Sequence, residues 1–158
     1  MCIARHRDIV FLNKMLQPSK MAENIAWAEE LPLECPPVDA AAPQNDLFYR
    51  LVDNVPPSSR DFDSHRKLYP AKKFNISECI ARSCSLLSNL EGCADLAKLP
   101  THKHKRIIQL ILPPQSGRVK KTGKNQYHFS WWRVENFDPI SASIEVTRPA
   151  SSDQRRNT

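Results

Sequence analysis

The chain has 158 residues, a formal net charge of +6, and 41% hydrophobic against 25% charged residues, proportions ordinary for one globular domain that buries about 70% of its unfolded surface. No window approaches the ~20 apolar residues that a membrane-spanning helix needs. Thirteen prolines against three glycines, with pairs at Pro36-Pro37, Pro56-Pro57 and Pro113-Pro114, fix φ and remove amide donors, which excludes a long coiled coil or a simple bundle.

Residues 1–20 read as a basic N-terminal extension, and Met21 offers an internal translation start. The apolar run Ile9 to Leu12 stops at Asn13 and Lys14, too short for a secretory core. Ile25, Ala28 and Leu31 fall at helical spacing, which predicts a short amphipathic helix over 21–31. Residues 32–45 form a linker or surface strap. Leu47 to Asp53 alternates as a strand, with Leu47, Tyr49 and Leu51 on one face and Phe48, Arg50 and Val52 on the other. Pro56-Pro57-Ser58-Ser59 followed by Asp61 and Asp63 is a helix start with Ser58 or Ser59 as N-cap.

Ser77 to Ala81 opens a turn of helix and Ser83 to Ser88 a small-residue strand. Asn89 caps a helix in which Leu90, Cys93, Ala94 and Ala97 repeat on one face, and Pro100 stops it. Lys105 to Leu112 is a branched apolar strand, Gly117 and Gly123 mark turns, and Gln126 to Trp132 and Ser141 to Thr147 are the last strands. Short helices mixed irregularly with strands predict a single α+β domain over 22–147, with a mixed or antiparallel sheet and short covering helices. Residues 148–158 read as a mobile polar tail.

Charge is polarised along the chain. Residues 96–134 contain no Asp or Glu, while Lys98, Lys103, Lys105, Arg106, Arg118, Lys120, Lys121, Lys124 and Arg133 leave the remainder net acidic. This basic stretch is where a nucleotide, nucleic acid or acidic protein partner is expected, with Lys120 and Lys121 meeting phosphates and Tyr127, Phe129, Trp131 or Trp132 stacking on a base. A solvated hairpin whose lysines discourage edge pairing is the alternative. Alternation sets Tyr127, Phe129 and Trp131 on one face and His128, Ser130 and Trp132 on the other. The glycine spacing from Ser116 to Lys124 does not fit a phosphate-binding Gly-x-x-x-x-Gly-Lys loop.

Arg50 in an apolar strand needs a partner. It reads either as a structural ion pair with Asp53, Asp61 or Asp63, or as a fork that clamps phosphate. Five scattered cysteines with no Cys-x-x-Cys pair read as reduced intracellular thiols, and the expected compartment is cytoplasmic. Cys79 and Cys84 are spaced so as to permit zinc with His102 and His104, but Cys93 on the apolar face of a helix reads as core filling, and no metal is expected. Cys84 or Ser85 with His128 lacks the glycines of a nucleophile elbow.

Phe48-Tyr49-Arg50, then Ala81 to Ser88 leading into Ala94 to Ala97, with Tyr127-His128 later, resemble the ADP-ribosyltransferase-like fold over residues 47–147. The resemblance implies NAD as cofactor or substrate, with Arg50, Ser85 and His128 in catalytic roles and Arg50, Tyr127, Lys120 and Lys121 holding the dinucleotide. It implies transfer or cleavage at the nicotinamide–ribose bond. The chain has no Glu-x-Glu or Gln-x-Glu pair, and Glu145 is the acid on its last expected strand. The Phe-Tyr-Arg-Leu-Val strand and Trp-Trp ending also resemble small bacterial proteins, a likeness that implies no activity. A non-enzymatic basic binding module is the second functional expectation.

Overall fold

The computed structural model describes residues 24–147, so the N-terminal extension, the first three residues of the 21–31 segment and the C-terminal tail lie outside the described residues. Six strands form one sheet: β1 (Asp46–Val52), β2 (Cys84–Leu87), β3 (Arg106–Leu112), β4 (Gly117–Lys121), β5 (His128–Arg133) and β6 (Ser143–Val146). Their order is β4-β5-β2-β1-β3-β6, and every pairing is antiparallel. Three short helices complete the domain: α1 (His65–Leu68), α2 (Glu78–Ala81) and α3 (Leu90–Ala97). This is the expected α+β class, with the sheet antiparallel rather than mixed.

Side-chain alternation divides the core. Phe48, Val52, Leu86, Ile108, Leu110 and Trp131 are buried on one face, joined by Phe62 from a 3₁₀ turn at Ser59–Phe62. Ile107 and Leu87 point the other way and are covered by Cys93 of α3. β3 therefore buries apolar side chains on both sides, which is why its sequence is a continuous branched run rather than an alternating one. The helices start where hydroxyl and amide side chains cap them: Ser64 accepts from the Lys67 amide, Ser77 from the Ile80 amide and Asn89 from the Gly92 amide.

Residues 24–31 are not helical, contrary to the helical spacing of Ile25, Ala28 and Leu31. Trp27 forms a bridge with Val134, the Ala28 amide donates to the Arg133 carbonyl at 3.0 Å and the Glu135 amide to the Ala26 carbonyl at 2.8 Å. Pairing with the end of β5 wins over a helix too short to stand alone. The strap that follows crosses to the outer edge of β4, where Ala41 and Val119 exchange amide–carbonyl bonds of 3.0 and 2.8 Å.

The cysteine reading also needs correction. Cys35 and Cys79 form a disulfide with a Cα–Cα distance of 5.6 Å, tying the strap to α2, whereas Cys84 and Cys93 are buried and take no part in that bond. Sequence spacing carries no information about which thiols a strap brings together. Residues 117–133 at the end of the basic stretch form the β4–β5 hairpin. Gly117 opens it with φ +138°, and an added Cβ there would come within 2.0 Å of the Trp132 carbonyl oxygen. Gly123 sits in its turn with φ +74°.

Candidate ligand-binding cavity

A cavity of about 520 Å³ opens between the β4–β5–β2 part of the sheet and the α1–α2 segment, a volume in the range of small-molecule sites. Its floor follows directly from register. Ser85 on β2 stands opposite Ser130 on β5, and Ser130 stands opposite Lys120 on β4. Three polar side chains thus lie in a row across three strands, with His128 two residues away on the same face of β5. Lys121, Thr122 and Gly123 of the hairpin form one wall, and His65, Ile76, Ser77 and Ile80 form the opposite one.

His128 is held at one nitrogen. Its Nδ1 lies 3.1 Å from the Thr122 carbonyl oxygen and 3.0 Å from Thr122 Oγ1, which in turn meets the Ser130 hydroxyl at 2.9 Å. A carbonyl can only accept, so that contact is a hydrogen bond when the proton sits on Nδ1, with Nε2 then left for a ligand. His65 occupies the first position of α1, on the exposed side of the cavity, and stacks on Phe74 with ring centroids 6.1 Å apart. Its N-cap Ser64 is anchored by Glu29, which accepts from the Ser64 amide at 2.9 Å and from its hydroxyl at 2.5 Å. Loss of hydration, followed by the positive charges of Arg50, Lys72 and His128, holds the His65 imidazole below its ordinary value.

The cavity walls contain no Asp or Glu. Lys120 reaches outward to Asp39 of the strap at 2.7 Å, and this hydrogen bond holds the Asp39 carboxyl below the usual carboxylate range. Lys121 has no ion-pair partner among the described residues.

Four residues singled out in the sequence (Ser85, Lys120, Lys121 and His128) therefore meet around one cavity. Arg50 does not line it. Its Nε donates to the Asp61 carbonyl at 2.6 Å and its Nη1 to the Ser85 carbonyl. The guanidinium fills the seam where β1 and β2 are paired only at Tyr49–Leu87. Its partners are backbone carbonyls, not the carboxylates of Asp53, Asp61 or Asp63. The Asp61 carboxylate instead accepts from the amides of Asp53 and Ser58, both at 2.8 Å. Tyr127 is likewise elsewhere, packed with Leu87, Cys93 and α3, and close enough to Gly92 that an added Cβ would meet its ring at 3.2 Å.

The basic stretch does not form one surface. Lys98 pairs with Asp95, Lys105 with Asp53 and Arg106 with Glu145, on the β3 side of the sheet, while Lys120 pairs with Asp39 at the β4 edge. Glu145 is on β6, the edge remote from the cavity. Cys79 is in the disulfide and Cys84 and Cys93 belong to separate core clusters, so these thiols do not converge with His102 and His104. Burial pushes the Cys84 thiol up. Cys84 faces the Phe48–Trp131 core, away from His128.

Sequence reasoning missed His65, Thr122 and Ser130 as cavity residues. Ser130 was legible through its alternation with His128. His65 had only the N-cap signal of Ser64, which locates a helix start but not what it faces. No family model, curated protein or solved structure matches the chain.

Proposed function

We propose that the protein binds a phosphate-bearing nucleotide ligand in this cavity, of the NAD or ADP-ribose class that the ADP-ribosyltransferase-like resemblance implies. One observation carries the reading: His65, His128, Lys120 and Lys121 surround a single cavity whose walls hold no carboxylate. An acid-free, lysine-bearing concavity favours anions, and its hydroxyls offer hydrogen bonds to ribose or phosphate oxygens. A phosphate group competes with Asp39 for Lys120 and meets Lys121, and Ser85 and His128 Nε2 meet the sugar. Arg50 supports the site from behind by holding the Ser85 strand, rather than by touching the ligand.

Calorimetric titration and thermal melting with NAD, ADP-ribose, AMP and uncharged nicotinamide test this reading. The phosphate-bearing ligands are expected to bind and raise the Tm, and nicotinamide is not. Lys120→Ala combined with Lys121→Ala is expected to weaken binding by about tenfold per lysine, the scale of one charge-assisted hydrogen bond. Failure of all three phosphate ligands at millimolar concentration, or equal affinity in the double variant, would sink the reading. Nicotinamide release from bound NAD, measured in the same samples, decides whether binding extends to cleavage of the glycosidic bond.

A further inference from the structure

We infer that the cavity cleaves ribonucleotide phosphodiesters, with His65 and His128 as the proton-transferring pair and the substrate's own 2′-hydroxyl as the nucleophile. This rests on the reading above, that the cavity accepts a phosphate-bearing nucleotide, and adds a reaction to it. Two imidazoles line one cavity, His65 from α1 and His128 from the β5 floor. With its proton on Nδ1, His128 donates to the Thr122 carbonyl, which fixes the ring and leaves Nε2 as its reactive nitrogen. Among the described residues the His65 ring makes no hydrogen bond, its ring contact being the Phe74 stack, and it keeps both nitrogens for a ligand.

The hydroxyls around the cavity argue against a protein nucleophile. Ser83 donates to the Ile80 carbonyl at 2.8 Å, and Ser130 is engaged by Thr122 at 2.9 Å. Neither histidine hydrogen-bonds to Ser85. A serine is activated by an adjacent base within hydrogen-bond reach, and none is so placed among the described residues. A ribonucleotide brings its own nucleophile. One histidine takes the 2′-hydroxyl proton as O2′ bonds to phosphorus. The P–O5′ bond then breaks with its electron pair, and the other histidine, entering protonated, gives its proton to the departing O5′. The products are a 2′,3′-cyclic phosphate and a free 5′-hydroxyl, with no oxidant and no net proton change. Partial loss of hydration and the neighbouring cations keep His65 neutral more readily than an ordinary imidazole, which suits it to accept the first proton. Lys121, and Lys120 once drawn from Asp39, supply positive charge for the phosphoryl oxygens as phosphorus becomes five-coordinate.

The test uses the full chain with a mixed-sequence 30-nucleotide RNA, and with DNA of the same sequence, in the presence of a chelator. The RNA is expected to be cut, leaving 2′,3′-cyclic phosphate and 5′-hydroxyl ends, while the DNA binds uncut. His65→Ala and His128→Ala are each expected to slow cleavage by about a hundredfold or more, the usual share of a general acid or base, while binding is retained. His128→Asn keeps a donor for the Thr122 carbonyl and removes Nε2, so it reports on chemistry even where alanine unfolds the hairpin. RNA that binds and stays intact would overturn this inference and leave ligand binding standing. Absence of binding by RNA, DNA and the mononucleotides above would overturn both. Cleavage undiminished in the folded histidine variants would also overturn it.

Discussion

His65 depends on its neighbours more than on its own element. α1 contributes only its first position, while the electrostatics come from Arg50 of β1, Lys72 beyond the helix and His128 of β5. All three are cations or potential cations, so each opposes a further positive charge, in the same direction as lost hydration. We expect the His65 ring to titrate below the ordinary imidazole value of 6.5 when followed by NMR, and its midpoint to rise in Lys72→Ala. Because the folded state binds the proton more weakly than the unfolded chain, this residue's contribution to stability is complete above that value and falls as pH drops through 6.5 toward the folded midpoint. A midpoint at or above 6.5 would remove the reason for assigning His65 the proton-accepting role. At the same scale, the sequence was right about the side on which His128 and Ser130 lie, because period-two alternation needs no knowledge of partners. It was wrong about what Arg50 does. An arginine in an apolar strand announces that something must neutralise or hydrogen-bond it, and here the backbone carbonyls of Asp61 in a turn and Ser85 on β2 do so.

Among the elements, α1 and α2 are each a single turn, too short to persist on helix propensity alone. Glu78 holds them together. Arg66 reaches both of its carboxylate oxygens, at 2.9 and 2.8 Å, and Arg82 donates to one of them at 2.8 Å. Arg66 also donates to the carbonyls of Pro70 and Lys72, closing the connection between the helices. The Arg66 and Arg82 guanidinium groups hold the Glu78 carboxyl below its ordinary value. The stabilisation is therefore present above the unfolded value of 4.5 and is lost as pH falls through the folded one. With the Glu78 side chain 40% exposed, solvent screening limits the expected loss for Glu78→Gln to about 1 kcal/mol at pH 7. Urea midpoints of the two proteins are expected to draw together as pH falls below 4.5 and through the folded value, and a gap undiminished in acid would show that the carboxylate charge is not what joins the turns. Capping made α2 and α3 readable from the residues alone, since Ser77 and Asn89 act on amides three residues ahead. The 24–31 segment was misread because its hydrogen bonds go to Arg133 and Glu135, more than a hundred positions away, where local periodicity carries no signal.

For the molecule as a whole, the basic run illustrates what a linear charge pattern omits. Lys98 through Arg133 are continuous in sequence, yet β3 and β4 lie on opposite sides of the central β1–β2 pair, and the intervening order β5-β2-β1 separates their charges. Acidic partners from elsewhere in the chain, such as Asp39, Asp53 and Glu145, then meet them individually. The cavity, in contrast, was half visible, because Ser85, His128, Lys120 and Lys121 belong to three strands that become neighbours. The disulfide acts at this same scale, joining positions 44 residues apart in sequence. Closing a loop of that size restricts the unfolded chain by an amount worth about 4 kcal/mol in loop entropy. Cys35→Ser with Cys79→Ser is expected to lower unfolding free energy by roughly 2–4 kcal/mol in denaturant titration. A change under about 0.5 kcal/mol would show that the strap is held by its hydrogen bonds to β4 and β5 alone.

The row formed by Lys120, Ser130 and Ser85 has one further consequence. The first two ride on the hairpin and the third on β2, so a hairpin that peels from the sheet carries away Lys120, Lys121, Thr122, His128 and Ser130 together and strands His65 and Ser85 on the remaining body. Any guest that touches both parties closes the breach like a rivet, and its grip is stored as resistance to fraying along the β5–β2 border.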